Sequence, residues 1–181
     1  MEPLERVRLT RDCVATMVPS GQKVLASKDT PVEIMQALGG SFTIKARGHL
    51  LRLEGKDADA LGKEPPPKPE LPENATDADI EQMVWEQLRG VFDPEIPINI
   101  VELGLVYKVR VEPLPISGRR VEVDMTLTAP GCGMGGVIAS DAHQRIMEIP
   151  TVEEAAVELV FDPPWNREMM SEAARLATGM F

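Results

Sequence analysis

The sequence predicts an α+β protein in three parts: a small β-rich module with one short helix (1–62), a proline-rich linker (63–76) and an α+β domain (77–181). Three observations carry that expectation. The stretch KEPPPKPELPENAT holds five prolines in fourteen residues, which neither a helix nor a central strand tolerates, and it favours extended polyproline II at about 3 Å per residue. Beyond it, apolar residues recur at helical spacing over 80–91, 137–149 and 169–176, while 105–111 and 121–127 alternate at strand spacing. Charge shifts at the same place: residues 77–181 hold 18 Asp and Glu against 8 Lys and Arg, and residues 1–76 hold 11 of each.

In the first module, Val14–Val18 and Val24–Leu25 read as short strands separated by the turn Pro19-Ser20-Gly21. Phe42, Ile44 and Ala46 alternate before Arg47-Gly48 turns the chain into His49–Leu53. Between them a helix is expected, with Thr30 as cap, Pro31 in the first position, Glu33 closing a capping box and Gly39-Gly40 ending it. Cys13, at a strand start, reads as a small buried hydrophobe, and His49 stands alone without a second ligand at metal spacing.

The second domain begins with a helix capped by Thr76 and Asp79, in which Ile80, Met83, Val84, Leu88 and Val91 follow at helical spacing and one face is buried. Asp93-Pro94-Glu95-Ile96-Pro97 then forms a rigid turn flanked by two carboxylates. Asn99–Leu103 reads as one helical turn ending at Gly104. The strands 105–111 and 121–127 pair as an antiparallel hairpin across the loop 113–119, a helix follows to about Glu148, and Ala155–Phe161 gives a third strand. After Asp162-Pro163-Pro164-Trp165, a last helix capped by Asn166 runs to Gly179. The order α-β-β-α-β-α with three strands in about 105 residues implies a two-layer sandwich.

Composition narrows the function classes. At 43% hydrophobic residues the chain is ordinary globular protein. It holds no run near the roughly 20 apolar residues that a membrane span needs, and its charged first residues, MEPLERVRLTRDC, do not resemble a leader, so a cytoplasmic location is expected. The acidic second domain is a poor match for nucleic acid or for anionic membranes. Two cysteines, one in each half, do not form a disulfide framework and are each judged as thiols.

The stretch with most chemical content is Thr126–Ile138, TLTAPGCGMGGVI. Four glycines within six residues surround Cys132 where a strand turns into a helix, so unpaired helix N–H groups would stabilise its thiolate and lower its pKa. Gly131, Gly133 and Gly136 match GxGxxG, but the strand belongs to a hairpin in a domain too short for a doubly wound dinucleotide fold. No Lys-Ser/Thr pair follows the glycines, so a phosphate loop fails too. Cysteine catalysis lacks a base, because His143 lies about three helical turns away.

Read together, Asp93-Pro94-Glu95-Ile96-Pro97, NIVELGLVY, MTLTAPGCGMG and DPPW resemble the PaaD-like small-domain family involved in iron–sulfur cluster assembly. VPSG, QALGGSFTI and GKDADALG in the first module look like the SufT-like branch of that family. The resemblance implies a non-enzymatic maturation factor that transiently binds or delivers iron–sulfur clusters, with Cys132 as the essential thiol and Asp93, Glu95 and Thr128 as matching positions around it. Gly131 and Gly133 complete the cluster-binding loop. Family members commonly carry proline after the cysteine, where this chain has Gly133. One strong ligand cannot hold a cluster that ordinarily takes four. Missing ligands would come from a second protomer in a homodimer, from Glu95, or from a client apo-protein, the assembly machinery being the other partner. A thiol-based redox sensor or thiol-transfer domain is the alternative.

Overall fold

The computed structural model describes residues 5–93, 96–129, 131 and 133–179. It is an α+β protein with one large antiparallel sheet and one small three-stranded sheet. Its contacts divide into two compact units, Met1–Pro67 and Lys68–Phe181.

In the first unit, strands β1 (Glu5–Arg8), β2 (Cys13–Val18), β3 (Lys23–Ala26), β4 (Pro31–Leu38), β5 (Ser41–Ala46) and β6 (His49–Leu53) form a sheet in the order β1-β4-β5-β6-β2-β3. Its apolar face buries Leu9, Ala15, Val32, Ile44 and Leu53. The helix expected at 31–38 is strand β4 instead. Val32 and Ile34 are buried in the core while Glu33 and Met35 alternate with them outside it, a period of two, and ladders to β1 and β5 on either side outweigh the capping signals. Pro31 is tolerated because it is the strand's first residue.

Helical character appears later, as a 3-10 turn over Gly55–Leu61. Arg11 holds it, donating to Asp59 at 2.7 Å and to Asp57 at 2.9 Å. The start of the proline-rich stretch stays with this unit. Lys63 Nζ donates to Glu5 Oε2 at 2.7 Å, and the Pro66 ring sits over Gly55, where a Cβ would collide with it.

In the second unit, helix α1 (Asp77–Leu88) opens with the capping box read from the sequence: Asp79 N–H donates to Thr76 Oγ1 at 3.3 Å and Thr76 N–H to Asp79 Oδ2 at 2.7 Å. Strand β7 (Val106–Pro113) pairs antiparallel with β8 (Arg119–Met125), and β9 (Val152–Leu159) pairs parallel with β8. A parallel pair needs a crossover, and helix α2 (Gly135–Met147) supplies it.

Val121, Val123 and Met125 on one face of β8 are fully buried. Helix α1 packs on β7, α2 packs on β9, and the two helices pack on each other. The opposite face of β8 is ionic: Arg110 donates to Glu122 and Asp124, both at 3.0 Å, and Arg120 pairs with Glu122 at 3.0 Å.

The last helix differs from the sequence reading. Asn166 caps only a 3-10 turn, Arg167–Met169, and Ser171 caps a separate short helix α3 (Glu172–Thr178). The third strand also begins at Val152 rather than at residue 155, because its register is set by β8.

Candidate functional site

Strand direction brings three connections to one end of the small sheet. Because β8 and β9 are parallel, both finish there, and antiparallel β7 begins there, with Val106 opposite Met125 and Met125 opposite Leu159. Three connections leave this end: the segment 89–105, the glycine loop 126–134 and the segment 160–170. Backbone bonds tie them together. Thr126 N–H donates to Leu105 O at 2.7 Å, Val160 N–H to Met125 O at 2.8 Å, and Ile100 N–H to Val91 O at 2.9 Å.

Asp93 lies in the first of these connections, beside the bridge between Phe92 and Asn99. It is 9% exposed. Its Oδ1 accepts from Ile96 N–H at 3.2 Å and its own N–H donates to Ile98 O at 3.3 Å, so the carboxylate braces the turn. Asn99 Oδ1 accepts from Val101 and Glu102 N–H and caps the single helical turn that Gly104 ends at φ 71°. Glu95 and Cys132 lie outside the described residues.

On the glycine loop, Thr128 and Ala129 are exposed. Gly131 adopts φ 79°, which only glycine takes readily, whereas Gly133 has no positive φ and a Cβ there would meet nothing. Helix α2 then opens on Met134, which provides no side-chain cap, and no acidic residue lies in its first turn. Among the described residues no side chain caps its leading N–H groups, which carry the partial positive charge of the helix end.

One residue escaped the sequence reading. Thr126, 1% exposed, has a hydroxyl with no hydrogen-bond partner among the described residues. Alternation places Met125 inward and Thr126 outward. Since β8 ends at Met125, however, the pleat no longer governs, and the available signal was a threonine placed just past the strand. The segment after β9 closes the other side: Trp165 Nε1–H donates to Leu103 O and Tyr107 Oη–H to Pro163 O, both at 2.8 Å.

The other candidates fall elsewhere. Cys13 is buried in β2, and burial pushes its thiol up, with Asp57 adding to the effect. His143 is exposed on α2 and lines a cleft with Arg120 and Met147. Among the described residues, no group of three or more His, Cys, Asp or Glu is placed to hold a metal ion. No helix there is long and apolar enough to cross a membrane.

Comparison with known proteins places these elements in context. The profile described as "Iron-sulfur cluster assembly protein" matches residues 81–159, from within α1 to the end of β9. The chain is 41% identical over 99 residues to an Fe-S protein maturation auxiliary factor of Porphyromonas gingivalis, covering 55% of this chain and 90% of that protein. It is 44% identical over 90 residues to the Fe-S protein maturation auxiliary factor SufT of Staphylococcus aureus, covering 50% of this chain and 98% of the relative. Among solved structures, the crystal structure of a domain of unknown function, DUF59, from Bacillus anthracis is similar, with TM-score 0.51 and 36% identity over 57% of this chain and 95% of that one.

Proposed function

The chain belongs to the iron–sulfur cluster assembly protein family, and on that premise we propose that it is a maturation factor that takes up an iron–sulfur cluster transiently through Cys132 and passes it to client apo-proteins. The observation that carries the reading is the uncapped start of α2, two residues after Cys132, at the sheet end where the Asp93 turn also lies. A thiol at such a helix start is favoured as thiolate, the form that ligates iron.

The carboxylates act in the opposite sense. Asp93, and Glu95 two residues on, raise the energy of a bare thiolate, and a bound cationic iron relieves that conflict. Glu95 serves as an auxiliary oxygen ligand, while Thr128 and the open backbone at Gly131 and Gly133 leave room for the cargo and for the client cysteines that remove it. Fewer ligands than four from one chain make the binding labile, which suits a carrier better than an enzyme with a resident cluster. The assembly machinery and client proteins are the partners, a homodimer is one source of further ligands, and the cytoplasm is the compartment.

Anaerobic transfer tests this function. Protein loaded with iron and sulfide is mixed with an apo-ferredoxin, and the acceptor's cluster spectrum is followed. Appearance of holo-ferredoxin faster than from free iron and sulfide supports delivery. A loaded protein that never yields its cluster, or a chain that instead forms a mixed disulfide and takes up no iron, overturns it in favour of the redox reading.

A further inference from the structure

We propose that the Met1–Pro67 unit binds a small amphipathic carboxylate, with the acid group on Arg47 and a short apolar body in the cavity beside it. Two openings meet at Arg47. One is a cavity of about 140 Å³ whose walls include Met17, Val24 and Leu51, with Thr30 and His49 among its other lining residues. The other is a shallower cleft of about 470 Å³ that adds Arg6 and Lys45. Glu33, the one carboxylate among the cleft's described lining residues, is already held by Arg6 at 2.6 Å. Lys45 and Arg47 make no ion pair among the described residues.

The backbone at Arg47 is a second sign. Arg47 (φ 50°) and Gly48 (φ 85°) form the turn between β5 and β6 with both central residues left-handed, a geometry that favours Asn-Gly. An arginine there is strained, and strain of this kind persists where a side chain has a use. A guanidinium matches a carboxylate fork in a bidentate pair. At about 30 Å³ per water-sized group, the apolar cavity takes roughly five methylenes.

The test is titration of the isotope-labelled full chain with sodium hexanoate, hexan-1-ol and sodium acetate, followed by amide chemical shifts. Hexanoate is expected to shift Val24, Gly48 and Leu51 saturably, with hexanol and acetate each at least tenfold weaker. Arg47→Asn is expected to weaken hexanoate at least tenfold while raising the thermal midpoint, because asparagine accepts the left-handed turn. Hexanol binding as tightly as hexanoate, unchanged hexanoate affinity in the variant, no saturable shifts, or a lowered midpoint, which would make Arg47 a structural residue, overturns the proposal.

Discussion

Gly104 and Met169 meet backbone to backbone: the carbonyl of Met169 fills the space where a Cβ on Gly104 would stand. Ser171 N–H, two residues on, donates to Glu102 O at 2.9 Å, so the C-terminal segment is docked on the single helical turn before β7. Gly104→Ala meets both a left-handed φ and this contact. It is expected to cost roughly 2–4 kcal/mol, read as a fall in the urea midpoint of unfolding.

Thr126→Val is expected to act in the opposite direction. The change keeps the shape and removes a buried hydroxyl that has no partner among the described residues, so the protein gains about 1 kcal/mol in chemical denaturation. Loss of stability would show that the hydroxyl is satisfied in the native protein.

Asp79 provides a pH signature. Hydrogen bonds from the Thr76 N–H and hydroxyl hold its carboxyl below the usual carboxylate range. A depressed folded pKa means that its contribution is fully present above the unfolded value, about pH 4, and is lost as pH falls through the folded value. The thermal midpoint of Asp79→Asn should lie below that of the parent at pH 7 and converge on it in acid. A constant gap at all pH values would separate the capping role from the charge.

The proline-rich stretch is expected to be cut only in its second part, since Lys63 and Pro66 are anchored to the first unit. Limited digestion with a glutamyl endopeptidase should cleave first at Glu70 and Glu73 and leave two resistant fragments, identified by mass. Early cleavage within α1 or the β4–β5 ladder would contradict this division.

Much of the fold could be read from residues whose local chemistry is decisive. Thr76 with Asp79 marks a helix start, Asn99 and Gly104 bracket one turn, and alternation at 105–111 and 121–127 gives a hairpin; each of these needs only neighbours within a few residues. What could not be read depends on distant partners. Thr30-Pro31-Val32-Glu33 has every local sign of a helix start, yet β1 and β5 flank it and make it a strand. ERVR offers one apolar residue in four, and it becomes β1 only because β4 presents an edge. The Asp93 turn and the glycine loop were legible as motifs, and the strand directions show that they leave the same sheet end. Thr126 was hidden because its burial is set by packing beyond the end of β8.

Cys132, and not the buried Cys13, is expected to carry the cluster. Anaerobic reconstitution of the parent, Cys132→Ser and Cys13→Ser with iron and sulfide, read as visible sulfur-to-iron charge-transfer absorption and bound iron, tests it most directly. Cluster absorption is expected in the parent and in Cys13→Ser, and its loss in Cys132→Ser with folding intact by circular dichroism. Full loading of Cys132→Ser, or loss confined to Cys13→Ser, would contradict it.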